Sequence, residues 1–240
     1  MYKLAIVVPI FNHAEQFKKF LPELLKLETP IILVDDGSRE AEDIKNIARD
    51  FSLNYLRLEK NSGKGAAFFA GLKRAAELGF THAFQIDADG QHGLEAFNKF
   101  LEASRENPKA LINSVPRYDS SVPPSRYYGR KFTNMWVLIE TFNPNIKDAM
   151  CGFRIYPIAE TLPLQRHFKF MRMGFDTEII VRASWSGLDI ISLEVATTYP
   201  KDGKSNFRPI RDNFFISLLH TYLCTIAILR LPLKIFKLWR

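Results

Sequence analysis

Residues 86–92 read Ile-Asp-Ala-Asp-Gly-Gln-His, and their types suit one piece of chemistry. Asp87 and Asp89 stand one residue apart after the apolar run Thr81-His82-Ala83-Phe84-Gln85-Ile86, so both carboxylates can be aimed at one divalent cation. Hard cations such as Mg²⁺ or Mn²⁺ take oxygen ligands and commonly combine one or two carboxylates with substrate phosphates. Gly90 permits a sharp turn and Gln91 can add an amide oxygen. An Asp-x-Asp pair standing alone is more often a solvated turn, so the assignment depends on its surroundings. His92 reads as a helix-start residue rather than a ligand, and Cys151 as packed rather than reactive.

Two other segments carry polar groups at comparable places. Leu33-Val34-Asp35-Asp36-Gly37-Ser38 ends an apolar run with two carboxylates that can accept hydrogen bonds from a nucleobase imide or ribose hydroxyls. The same residues also read as a plain turn in which Ser38 caps the next helix. Asn61-Ser62-Gly63-Lys64-Gly65-Ala66 places a lysine between glycines. It is not a P-loop: position 58 is Leu, and Gly65 stands where a Ser or Thr would reach Mg²⁺. A lysine at a helix N-terminus can still approach a diphosphate; an ordinary helix start fits these residues equally.

The elements that must position these groups alternate. Short apolar runs near 3–9, 30–35, 53–58, 82–87 and 109–115 are separated by amphipathic stretches near 13–27, 39–51, 64–79 and 93–105. That pattern predicts βαβ units and a mainly parallel sheet flanked by helices. Ligands bind beyond the carboxyl ends of such strands, which is where Asn12, Asp35-Asp36 and Asp87/Asp89 fall. Beyond the polar loop 118–124 the pattern predicts a helix over 125–141, a strand near 151–156, a helix over 174–186 and a strand over 190–199.

Composition excludes several classes. At 240 residues, 47% hydrophobic and 25% charged, the chain is an ordinary globular protein with one sizeable core. Two distant cysteines imply a reducing compartment and no disulfide framework. No signal-peptide pattern precedes the first strand. Residues 201–240 hold eight Lys/Arg against two Asp, leaving only about +1 of the net +7 for the rest. The basic excess sits in a tail and not over the domain, which argues against a nucleic-acid partner.

Taken in order, Pro9-Ile10-Phe11-Asn12, Asp35 to Ser38, Asn61 to Gly65 and Asp87-Ala88-Asp89-Gly90-Gln91 resemble the motifs of family-two glycosyltransferases, over about residues 3–200. The set is similar to the branch holding the dolichyl- and polyprenyl-phosphate sugar synthases, and most resembles short bacterial members of aryl-polyene or other lipid-modifying clusters. Asp148 to Arg154 resembles the family's Asp-x-x-x-Gly-Phe-Arg element, Phe175 to Glu178 its acidic acceptor-side helix, and Tyr199 to Phe207 its mobile loop. The resemblance implies a GT-A type nucleotide-binding fold, a nucleoside-diphosphate sugar donor, a divalent metal (Mg²⁺ or Mn²⁺) and inversion at the sugar carbon. Pro9, Asn12, Asp35, Asp36, Lys64 and Asp87 would then hold the donor, and Asp87, Asp89 and Gln91 the metal. A hydroxyl acceptor needs a general base, for which Asp176 or Glu178 is the candidate. A phosphate acceptor needs cations instead, and Arg117, Arg126, Arg130, Lys131, Arg154, Lys204, Ser205 and Arg208 are the candidate acceptor-side residues. Transfer to a soluble or polysaccharide hydroxyl and a non-catalytic nucleotide-sugar or membrane-binding module stay open as alternatives.

Two units are expected, a GT-A domain over 1–208 and a basic apolar tail over 209–240. Phe214 to Leu229 is a 16-residue apolar stretch, short of the roughly 20 residues that span a bilayer. Pro232 follows, then a segment with Arg230, Lys234 and Lys237 at helical spacing. This suits an amphipathic helix lying on an anionic membrane surface at the inner, cytoplasmic face; the alternative is a helix docked on the domain or on a dimer partner.

Overall fold

The computed structural model describes residues 1–119, 122–198 and 208–238. Seven strands form one sheet: β1 Leu4–Ile10, β2 Ile31–Asp35, β3 Asn54–Arg57, β4 His82–Gln85, β5 Leu111–Tyr118, β6 Arg154–Pro157 and β7 Ile190–Thr197. Their order is β3-β2-β1-β4-β6-β5-β7, with β6 antiparallel to both neighbours and the other pairs parallel. The helices are α1 Ala14–Leu25, α2 Ala41–Asp50, α3 Lys64–Glu77, α4 Phe97–Glu106, α5 Pro124–Thr141, α6 Ile158–Thr161, α7 Phe175–Trp185 and α8 Pro209–Leu238.

Period-2 side-chain alternation sorts the strand residues between two cores. Ile6, Val8, Leu33 and Phe84 pack with α1, α2 and α4 through Phe17, Ile44 and Phe100. Ala5, Val7, Val34 and Tyr156 pack on the other face with α3 and α7 through Phe68, Phe69, Phe175 and Ile179. Burial on both faces explains why the central strands read as continuous apolar runs rather than alternating ones.

The strand order reverses between β1 and β4, so the crevice at their carboxyl ends is the natural binding place. Asn12, Asp35-Asp36 and Asp87 to Gln91 all lie at that edge. The antiparallel insertion of β6 adds a fourth contributor. Gln85 at the end of β4 pairs with Arg154 at the start of β6, so the segment Asp148 to Phe153 arrives at the same edge.

The tail is helical, as expected, and forms one element. Helical backbone runs through Pro232, and α8 is 30 residues long. A proline's fixed φ is itself helical and removes one backbone donor, so the helix can continue past it. Within α8, Pro209–Leu231 is 23 residues with mean hydropathy 1.7, long and apolar enough by length and composition to cross a membrane. One side of it is docked: Leu219 and Leu223 are fully buried in the core that holds α7.

Candidate active site

The centre of the crevice is an ion cluster built by three elements. Lys64, the first residue of α3, places its ammonium 2.8 Å from Asp87 Oδ1 and 2.7 Å from Asp176 Oδ2. Asp176, in the first turn of α7, also accepts at Oδ1 from Gln85 Nε2 at 2.9 Å. Gln85 in turn accepts at Oε1 from the Tyr156 hydroxyl at 3.2 Å. Burial opposes the charge on Lys64, but the carboxylates of Asp176 and Asp87 outweigh it and hold the ammonium well above its ordinary pKa. Burial likewise opposes ionisation of Asp87, yet the Lys64 ammonium keeps that carboxyl below its usual range.

Gly152 closes over this cluster. A Cβ there would stand 2.7 Å from both Lys64 Nζ and Asp87 Oδ2. Only a hydrogen at this position lets the 148–153 segment lie against the ion pair. That segment is shaped by Asp148, whose Oδ1 accepts from Met150 N at 3.0 Å, Cys151 N at 2.8 Å and Arg130 Nη1 at 2.7 Å.

The residues expected to hold the donor are knitted together by their own hydrogen bonds. Asn12 sits at φ 55°, a left-handed conformation that asparagine tolerates better than most residues. Its N–H donates to Ser38 Oγ at 2.9 Å and its Oδ1 accepts from Arg39 N at 2.9 Å. Ser38 therefore does not cap the following helix; α2 starts at Ala41 with no side-chain cap. Asp35 is fully buried and accepts from Ser38 N at 2.8 Å, Arg57 Nη1 at 2.7 Å and Tyr55 OH at 3.2 Å. Asp36 accepts from Ser62 N at 2.7 Å and Gly63 N at 2.8 Å, binding the second strand end to the loop before Lys64. Burial raises the Asp36 pKa, against the opposing pull of those two backbone donors. Pro9 continues β1 opposite Val34 and lies at the same edge.

Asp89 and Gln91 lie beside Asp87. Asp89 Oδ1 accepts from Gln91 N at 3.2 Å. Burial first, and the neighbouring Asp87 charge second, raise the Asp89 pKa, the electrostatic condition that a divalent cation relieves. Among the described residues no cluster of three or more His, Cys, Asp or Glu side chains could hold a metal. Two carboxylates fit Mg²⁺ or Mn²⁺ only when water and donor phosphates complete the shell, the usual arrangement for Mg²⁺. Asp89 is the freer of the two, since both Asp87 oxygens contact Lys64.

Three expected ligand-facing residues turn inward. Glu178 is fully buried; it receives Arg182 Nε at 2.8 Å and Phe170 N at 2.9 Å. It thereby shapes the 169–172 segment, in which Met171 O accepts from Gly65 N at 2.8 Å beneath Lys64. Two residues along a helix point about 200° apart at 100° per residue, so Asp176 and Glu178 cannot face one site. Arg154 is fully buried and donates from Nη1 to Asp176 O at 2.7 Å, holding the start of α7 rather than meeting an acceptor. Arg130 is paired with Asp148, its side chain 15% exposed. Arg117, Arg126, Lys131 and Arg208, the other described residues expected on the acceptor side, are exposed. Lys204 and Ser205 lie outside the described residues. Sequence reasoning did not single out Gln85 or Tyr156, and it placed Gly152 in the Asp148 to Arg154 motif without giving it a role; a glutamine ending a wholly buried strand was the available signal.

The chain has known relatives. Residues 5–176 match the model of the family described as Glycosyl transferase family 2. The dolichyl-phosphate beta-glucosyltransferase ALG5C of Trichomonas vaginalis is 28% identical over 222 residues, covering 82% of this chain and 64% of that protein. The chain thus spans under two thirds of that relative's own length. The dolichyl-phosphate beta-glucosyltransferase of Dictyostelium discoideum is 26% identical, covering 86% of this chain and 69% of its own. Glucosyl-3-phosphoglycerate synthase of Mycobacterium tuberculosis, solved with Mn²⁺, UDP-glucose and phosphoglyceric acid, superposes with a TM-score of 0.62 at 14% identity, over 94% of this chain and 79% of its own. That likeness shows the fold, a GT-A-like one, as the family resemblance implies. By the family match, which covers more than half of its length, the chain belongs to glycosyl transferase family 2.

Proposed function

We propose that the chain is an inverting glycosyltransferase that moves a sugar from a nucleoside-diphosphate donor to a lipid-phosphate acceptor at the inner face of the cytoplasmic membrane. The observation that carries this is the Lys64 ammonium held between Asp87 and Asp176 at the carboxyl edge of β4. A cation so placed balances charge building on a departing diphosphate. Asn12, Asp35 and Asp36 line the neighbouring strand ends and serve the nucleoside, with Pro9 completing the edge. A bound Mg²⁺ or Mn²⁺, held by Asp87 and Asp89 with Gln91 nearby, would add further neutralisation of the diphosphate.

The acceptor side supports an anionic nucleophile. Both oxygens of Asp176 already receive donors, from Lys64 and Gln85, and Glu178 is buried in an ion pair. Neither is placed to collect a proton, and a phosphate oxygen needs none removed. Arg117, Arg126, Lys131 and Arg208 supply positive charge on that side. The dolichyl-phosphate relatives and the apolar α8 agree with a lipid-borne acceptor. Calorimetric titration with UDP tests the donor half: binding strengthened by Mn²⁺ in the parent and insensitive to Mn²⁺ in Asp89→Ala supports it. Equal Mn²⁺ dependence in both proteins overturns the metal assignment.

A further inference from the structure

We infer that the outward face of α5 is a second membrane-contacting surface, seating the catalytic domain on an anionic bilayer beside α8. The inference rests on the lipid-acceptor reading and names the surface that serves it. Tyr128, Phe132, Met135 and Ile139 recur at spacings of four, three and four, one continuous stripe on the helix, and Phe142 follows just past its end. They are 67%, 59%, 47%, 45% and 61% exposed. The opposite face of α5, with Thr133, Val137 and Glu140, is buried on the domain. A contiguous strip of large apolar side chains facing water marks a docking or membrane surface.

Charge selects the bilayer over a second copy of the chain. Glu140 is buried and Arg130 is paired with Asp148, so the exposed charged side chains of α5 are Arg126 and Lys131, both basic. A two-fold contact through this face would bring like charges together, whereas an anionic lipid surface complements them. Exposed Tyr127 and Tyr128 at the same end suit the headgroup level, where amphipathic aromatics concentrate.

The stripe is linked to α8 through Trp136. The Phe132 ring lies 6.1 Å from Trp136, and Trp136 lies 6.4 Å from the His220 ring of α8. His220 in turn pairs with Glu140 at 2.7 Å. α8 thus packs beside α5 and carries exposed apolar residues of its own, among them Phe214, Leu218 and Ile228. From α5 the path to the site is short: Arg130 holds Asp148, which shapes the segment ending at Gly152 against Lys64 and Asp87. A domain resting on α5 would present this edge to a phosphate at the membrane surface.

The test places an environment-sensitive fluorophore at Met135→Cys, Ile139→Cys, Thr225→Cys or Leu78→Cys, each in full-length Cys224→Ser protein, and adds phosphatidylglycerol–phosphatidylcholine vesicles. Blue-shifted, brightened emission at 135, 139 and 225, with none at 78, is expected. The triple variant Tyr128→Ser, Met135→Ser, Ile139→Ser should partition onto these vesicles at least about tenfold more weakly while keeping its UDP affinity. A response at 225 alone overturns the α5 surface and leaves the proposed function standing. No response at any position overturns both the surface and the membrane-face reading. A response at 135 and 139 without vesicles, growing with protein concentration, assigns the stripe to a second copy and overturns the inference.

Discussion

Replacing Gly152 by alanine tests the packing of the site with a single methyl group. The added carbon would lie 2.7 Å from Lys64 Nζ and from Asp87 Oδ2, where ordinary contact begins near 3.4 Å. The ion pair or the 148–153 segment must therefore move by about 0.7 Å. The Lys64 ammonium is the end of a flexible side chain, so the fold can absorb the change at small cost. Catalysis cannot, because misplacement by about 1 Å can cost on the order of a hundredfold in rate. We expect a 10- to 100-fold fall in kcat/KM for the donor, about 1.4–2.7 kcal/mol of transition-state stabilisation, with the melting temperature within a few degrees of the parent. Steady-state nucleotide release and thermal denaturation of the same preparation measure both. Parental kcat/KM would refute the idea that Gly152 abuts a working Lys64–Asp87 pair; loss of activity only through unfolding would refute the claim that the strain is confined to the site.

Other consequences follow from single contacts. Glu178→Gln breaks a buried pair with Arg182 and should cost about 3–5 kcal/mol of stability, read by urea denaturation, while kcat in the folded fraction stays near the parent's; a collapse of kcat at unchanged stability would instead mark a general base. Asp89→Ala should abolish Mn²⁺-stimulated nucleotide release without lowering the melting temperature, and parental stimulation in that variant would remove Asp89 from the metal site. Burial lowers the His82 pKa below 6.5, against a backbone hydrogen bond to Pro108. His82 is thus neutral in the fold and charges more readily when unfolded, so its contribution to stability is present above about pH 6.5 and is lost as pH falls. Parallel melting curves from pH 7.5 to 5 should show that fall in the parent and a weaker one in His82→Gln.

Much of this architecture was legible in the chain. The apolar runs became β1 to β5, and three of their ends placed Asn12, Asp35-Asp36 and Asp87/Asp89 on one edge because parallel strands share a direction. The direction of β6 was not legible: Arg154–Pro157 is four residues with no local signal of orientation. Its antiparallel course brings Gly152 onto Lys64, a contact between residues 88 positions apart. The inward turn of Glu178 follows from helical geometry once α7 is fixed at Phe175, whereas its partner Arg182, one turn on, is a local pair that sequence could have offered. The burial of Arg154, a candidate acceptor-side cation by sequence, was not legible because its partner is a backbone carbonyl, which leaves no trace in residue type.

The central claim is the reaction itself, and mass spectrometry of its lipid product measures it most directly. Purified full-length chain, polyprenyl phosphate in detergent micelles, Mn²⁺ and a panel of UDP- and GDP-sugars should yield a lipid heavier by one sugar residue, joined through the phosphate, together with free nucleoside diphosphate. Sugar appearing instead on a soluble hydroxyl acceptor, with the polyprenyl phosphate unchanged, would contradict the account.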